Sequence, residues 1–335
     1  MTVHDVWQSV IAFYEPTLGI LQLWAWGLPL FTVVIGATLL LAGGHRGRTT
    51  PKSLLGMVFP KEMYRHSSGR VDRWNAILIL GIGFPLYSIV EISAIAFAEY
   101  LASTLGTHYG SHAPLIHATW AIVAIQFAVY FLSLDFAGYW VHYWCHTVPW
   151  MWNLHKPHHT AETLTPWTNF RQHPIEFFIL NKLPTLFAGL VTGLAIYAMG
   201  TPIQPGTVAV IGLQIYIAFF VVDFLSHVHV PISYGWLNRI VLAPVMHNIH
   251  HSLEERHRDK NMAVILTAWD WMFGTLYLPH HRETWRWGLN SDEYGSANPH
   301  RTLRGFYVEP FASSWKLLKS NWFASIWKAA RQDAS

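Results

Sequence analysis

Charge is scarce in this chain of 335 residues: only 12% are Asp, Glu, Lys or Arg, against 52% hydrophobic. Soluble domains carry about 25% charged residues, so the composition describes a protein that lives in a bilayer. There is one cysteine, Cys145, which excludes an intrachain disulfide framework. Residues 1–20 contain no Lys or Arg and so lack the basic start of a secretory signal. No glycine-rich dinucleotide fingerprint, phosphate-binding loop or CxxCH haem site occurs. Redox equivalents, if they are used, must be supplied from outside. The formal net charge of +3 is too small and too dispersed to argue for nucleic acid, and no nucleic-acid partner is expected.

What the chain does have is apolar length. Five stretches approach the roughly 20 residues a bilayer requires: about 20–41, 76–101, 116–141, 183–199 and 207–224. Thr201, Pro202, Pro205 and Gly206 make a tight break between the last two, as in a hairpin. The loop over residues 42–75 holds Arg46, Arg48, Lys52, Lys61, Arg65, Arg70 and Arg73. The 102–115 loop and the 200–206 turn hold no Lys or Arg. The positive-inside rule therefore puts the first loop in the cytoplasm and the other two outside. Segments 142–182 and 225–335 then lie together on the cytoplasmic side. The expected fold is an all-α integral membrane bundle of about five hydrophobic helices with a cytosolic helical cap. Its regions are an N-terminal transmembrane part (1–115), a catalytic part (116–282) and a cytosolic or interfacial tail (283–335). In the tail, Trp315, Leu318, Trp322 and Ile326 share a helical face, and Lys316, Lys319 and Lys328 lie elsewhere. That pattern fits either a helix lying in the membrane interface or one packed on the cap.

It also has histidine. Of 21 histidines, eleven fall between residues 142 and 251. His142 and His146 form HxxxH; His155, His158 and His159 form HxxHH; His247, His250 and His251 form HxxHH again. His227 and His229 lie between the last two boxes. Neutral imidazole is the commonest protein metal ligand, and spacings of three and four residues align side chains on one helical face. Eight boxed histidines exceed one tetrahedral site and point to two metals; an all-imidazole set suits iron, zinc or copper. Because topology was read from Lys, Arg and hydropathy alone, the placement of every box on one face is independent support.

Acids accompany the boxes. Asp135 precedes His142 by seven residues on the same helical face. It is either a partner for an imidazole N–H or an acid paired elsewhere. Asp223, four residues before His227, and Asp270 carry the same two readings. Pro157 suits the first turn of a helix, which would then project His158 and His159. Cys145 is read as packing. Trp140, Trp144, Trp150 and Trp152 are read as membrane-interface residues rather than a substrate cage.

The boxes and their neighbours resemble the fatty acid hydroxylase and sterol desaturase superfamily of membrane di-iron enzymes. The segments carrying the likeness are DFAGYWVHYWCH (135–146), WNLHKPHH (152–159), NFRQHPIE (169–176), GWLNR and PVMHNIHHS within 227–252, Asn261, and WDWMFGT (269–275). The resemblance spans roughly residues 117–280. It implies ligand roles for His142, His146, His155, His158, His159, His227, His247, His250 and His251, with His173 and His229 less secure. His280 and His281 are read as surface residues. It further implies two Fe ions, O2 as co-substrate and hydroxylation of an unactivated C–H bond of a fatty acyl, sterol or aminolipid substrate taken from the bilayer. Desaturation at the same site is the alternative. The electrons would come from a ferredoxin, cytochrome b5 or reductase type of donor at the cytosolic face. A stand-alone enzyme of a bacterial inner membrane is the implied setting. A transition-metal transporter or sensor is the reading from another class, but it expects ligands near the bilayer midplane. A structural protein with a vestigial site is disfavoured by the full set of boxes.

Overall fold

The computed structural model describes residues 60–83, 93–280, 283–290 and 297–332. Among these residues the fold is all-helical; strand pairing is limited to two isolated bridges, Val241 with Leu266 and Ser252 with Trp287. The first expected span, 20–41, lies outside the described residues, as does part of the second.

Two helices dominate. α4 (Thr119–Thr147) and α6 (Pro174–Met199) are long and apolar enough to cross a membrane, with mean hydropathy of 1.7 and 1.5. Only 33% and 39% of those windows are buried. A core helix of a water-soluble protein would be covered; here Leu132, Phe178, Phe187, Leu190 and Leu194 face outward. Helices that satisfy their own backbone groups and present apolar side chains suit a lipid solvent. α3 (Ala94–Tyr109) packs on α6, and α7 (Pro205–Ile217), a shorter apolar helix, packs on α4. The α3–α6 contact uses small residues. A Cβ on Gly189 would sit 2.9 Å from the Ala94 carbonyl oxygen, and one on Gly193 2.9 Å from that of Ala98. This is close packing of the small-xxx-small kind.

α6 begins nine residues earlier than its hydropathy indicates. His173 caps it, Pro174 fills N1 and Glu176 closes a capping box. The polar Glu176, Asn181 and Lys182 of its first turns hide it from an apolar window. Pro184 lies inside α6 without ending it. The expected break after α6 is present: Gly200 ends the helix at φ 65°, and Gln126 of α4 secures the turn. The Gln126 amide donates to the Pro202 carbonyl at 2.9 Å. Its oxygen accepts from Gln204 N–H at 3.0 Å and Thr207 O–H at 2.8 Å.

At the other end of α4, beyond its last turn, lies the histidine-bearing layer. It comprises α5 (Pro149–His159), α8 (Pro244–His250), α9 (Ala268–Phe273) and the loop 258–267. α1 (Lys61–Arg65) leads into α2 (Ser67–Leu78), which flanks this layer. α10 (Leu303–Gln332) lies along α5, with Phe306 fully buried and Ser314 Oγ donating to the Trp150 carbonyl at 2.7 Å. Its opposite face exposes Val308, Phe311, Trp315 and Leu318. The near half of the tail therefore packs by one face and leaves an apolar stripe on the other. The side chains of Trp322, Ile326 and Lys328 are outside the described set.

The expected helix start at Pro157 is corrected. α5 starts at Pro149, and Pro157 sits in its last turn with His158 and His159. Pro149 occupies N1, where its missing N–H is free of cost.

Candidate metal centre

α5 and α8 each carry histidines at i, i+3 and i+4, and the two helices divide them identically. One offset of each trio faces one centre and the others face a second. His142 and His146 from α4, His155 and His159 from α5, and His250 from α8 form one group. His158 from α5, His227, His247 from α8 and His251, which caps the C-terminus of α8, form another. In each group one ring nitrogen per residue lies within 4.8 Å of all the others. The groups adjoin: the rings of His159 and His251 stack at 4.5 Å, and those of His247 and His250 lie 5.4 Å apart. The eight boxed histidines and His227 are thus brought together, and they are buried or nearly so.

The hydrogen bonds of the outer ring nitrogens say what the inner ones can do. Nδ1 of His142 donates to the Met262 carbonyl at 2.8 Å, and Nδ1 of His250 to that of Lys260 at 2.8 Å. Nδ1 of His227 donates to the Asp223 carbonyl at 2.9 Å, and Nδ1 of His158 to that of Arg171 at 3.2 Å. Nδ1 of His155 donates to Glu176 Oε1 at 2.6 Å. A neutral imidazole has one donor and one acceptor, so each Nε2 is left with a lone pair. Yet Nε2 of His158 and His227 face each other at 3.3 Å. His247 Nε2 stands 3.0 Å from His227 Nε2, and His155 Nε2 stands 3.1 Å from His146 Nε2. His250 Nε2 is buried with no hydrogen-bond partner among the described residues. Converging lone pairs repel; a cation at the centre of each group satisfies them. The donor set therefore fits two metal ions, each held by imidazole alone.

Protonation is suppressed in the same place. Burial, reinforced by the neighbouring imidazoles, holds His155, His158, His159, His247, His250 and His251 well below the usual histidine range. Burial lowers His227 to about 4. Neutral rings are the form that ligates.

The remaining candidates fall elsewhere. Asp135 does not reach an imidazole. Its carboxylate accepts from the backbone N–H of Ile265 and Leu266, both at 3.0 Å, and from the Trp269 indole N–H at 2.8 Å. Asp270 accepts from the N–H of Met262 at 2.7 Å and of Ala263 at 3.1 Å, and from Thr275 Oγ at 2.6 Å. Both acids shape the loop whose carbonyls orient His142 and His250. Asp223 does serve a box histidine, but through its backbone carbonyl rather than its carboxylate. His173 joins neither group: Nδ1 accepts from Ile175 N–H at 3.3 Å and Nε2 donates to the Tyr307 carbonyl at 3.1 Å, which uses both ring nitrogens. His229 is half-buried and outside both groups. His280 is exposed, and His281 is outside the described residues. Cys145 is buried against Val141 and Met151, as expected of a packing residue.

Three side chains were missed. Glu176 binds His155 with one oxygen and the His173 backbone N–H with the other at 2.9 Å, so a helix cap doubles as a ligand support. Its position three residues past the helix entry was the available signal. Arg171 is fully buried, paired to Asp72 at 2.5 Å, and donates to the carbonyls of Pro157 at 2.7 Å and His300 at 3.0 Å. It ties α2 and α5 to the 299–301 turn that precedes α10. Trp152, taken as an interface residue, lies 5.3 Å from the His146 ring and 5.6 Å from the His159 ring. It is a wall of the first group. Beside it a polar cleft opens to solvent, lined by His146, His159, His250, Glu254, Glu255 and Asp259 among others.

Two adjoining all-histidine centres at the foot of lipid-facing helices define a membrane protein with paired candidate metal sites. Residues 127–275 match the family model described as fatty acid hydroxylase. The chain is 28% identical over 179 residues to an alkylglycerol monooxygenase from Homo sapiens, covering 53% of this chain and 35% of that protein. It is 23% identical over 266 residues to a Delta(7)-sterol 5(6)-desaturase from Aspergillus fumigatus, covering 78% of this chain and 65% of the relative. It is 26% identical over 157 residues to an ornithine lipid hydroxylase from Rhizobium tropici, covering 47% and 43%. The chain spans about a third of the length of the alkylglycerol monooxygenases it matches. No solved structure gives a significant match.

Proposed function

We propose that this protein is a membrane-bound, O2-dependent di-iron oxygenase that hydroxylates an unactivated C–H bond of a lipid. The observation that carries the reading is the pair of adjoining centres on which buried imidazole nitrogens converge. His142, His146, His155, His159 and His250 would hold one ion, and His158, His227, His247 and His251 the other. When bound, two irons supply the capacity to reduce dioxygen and oxidise an aliphatic carbon.

The protein's own residues supply the rest. Backbone carbonyls and Glu176 fix ring orientation, and burial keeps the imidazoles neutral. α4 and α6 present an apolar surface along which a lipid can approach the layer at their ends. Five crossings, with the histidine layer and the C-terminus on the cytosolic side of a bacterial inner membrane, complete the reading. A ferredoxin, cytochrome b5 or reductase type of donor would deliver electrons to that face. A desaturase is the second reading, favoured by the longer stretch matched to the sterol desaturase. The transporter reading is disfavoured because the ligands sit at and beyond the end of α4, not midway along it.

Elemental analysis of the purified protein should find about two irons per chain. Lipids from expressing cells should carry the mass of one added oxygen atom. Loss of two hydrogens instead would assign the desaturase. A protein that takes up metal but changes no lipid would overturn both.

A further inference from the structure

We propose that the polar cleft beside Trp152 is the port through which metal ions enter, and that the five-imidazole group fills before the four-imidazole group. This inference rests on the metal-binding reading above.

The cleft touches His146, His159 and His250, all from the first group, and none of the four histidines of the second. Among the described residues its lining adds the carboxylates of Glu254, Glu255 and Asp259, with Arg258 as the one cationic residue. These acids form a graded path rather than a binding site. The Glu255 side chain is 82% exposed and the Asp259 side chain 48% exposed. Asp259 Oδ1 lies 3.4 Å from Nδ1 of His146. At the inner end is His250, itself 5% exposed, whose Nε2 is buried without a hydrogen-bond partner among the described residues. Carboxylates at the mouth attract a hydrated divalent cation and exchange with its water; imidazoles at the floor replace the remaining water.

The support of each ligand points the same way. His142, His155 and His250 are fixed by main-chain carbonyls or by buried Glu176. His146 has as its outer contact a half-exposed carboxylate on a residue of positive φ, Asp259 at 53°. It is the ligand best placed to swing aside. The second group reaches solvent through this cleft only past the first, across the His159–His251 stack.

The test is anaerobic reconstitution of metal-free protein in detergent with Co2+ or Fe2+ alone, followed by stopped-flow absorbance and by metal counting. Two phases are expected, and the fast phase should slow as ionic strength rises. The double variant Glu254→Gln/Glu255→Gln should slow the fast phase at low salt by about tenfold or more, the range by which a charged cleft raises association rates. Its final stoichiometry should be unchanged. Asn290→Trp, which narrows the cleft rim, should slow both phases. His251→Ala should keep the fast phase and lose the slow one. Two ions bound in one phase, insensitive to salt and to these variants, would refute the port while leaving the metal-binding reading intact. A protein that binds no metal would sink that reading instead.

Discussion

Glu176 occupies a helix cap and a ligand support at once, and the two roles can be separated. Glu176→Gln keeps the shape but weakens the charge-assisted bond to His155 Nδ1. The expected outcome is an affinity loss of about 10- to 100-fold for metal, read by chelator competition, with the fold retained. Asp135 gives the opposite expectation. Its three partners lie in the 265–269 segment, so Asp135→Asn should lower stability by about 2 kcal/mol, seen as earlier thermal unfolding. The folded fraction should bind metal normally; weakened binding with full stability would restore the direct partner role. His173→Ala should behave as a lost cap of about 1 kcal/mol, with metal content unchanged. Box spacing located eight of the nine converging histidines, because i, i+3 and i+4 on a helix fixes which side chains meet; His227 rested on the family resemblance. It could not locate Glu176 or the carbonyls of Lys260 and Met262. Main-chain supports have no residue signature, and a capping glutamate looks the same whether or not an imidazole sits beside it.

Among the elements, α6 was legible only from its apolar part, because its first turns serve the site and are polar. The Pro157 boundary was misplaced for a related reason: two prolines, Pro149 and Pro157, each suit a helix start, and only the packing of His155 beside His159 decides between them. The α3–α6 seam could not be read from sequence, since Gly189 and Gly193 matter only once Ala94 and Ala98 are known to oppose them. Gly193→Val should therefore cost about 1–3 kcal/mol through overpacking and lower the yield of folded protein in detergent. Gly212→Val, with nothing within 4 Å of a new Cβ, is the control expected to fold normally.

At the scale of the whole molecule the fold makes one histidine-rich layer depend on α2, α4, α5, α6, α8 and α10 together. Acid should reveal that dependence. The buried imidazoles of His155, His158, His159, His227, His247, His250 and His251 have folded pKa values below the unfolded value of about 6.5, so the unfolded chain takes up more protons as pH falls. Stability of the metal-free protein is complete above pH 6.5 and is lost downward toward the folded values, which for His227 is about 4. Each such histidine contributes a slope of about 1.4 kcal/mol per pH unit in that window. Bound metal should shift the loss to lower pH, because protons must displace it; denaturation followed from pH 7 to 4 with and without chelator checks both statements. The most direct test of a paired metal centre that oxidises lipid is growth under heavy-isotope dioxygen, with mass spectrometry of membrane lipids from cells making the wild type or His158→Ala. The account predicts one heavy oxygen atom in a lipid of the wild-type cells and none with His158→Ala. A heavy-labelled lipid that persists with His158→Ala would contradict it.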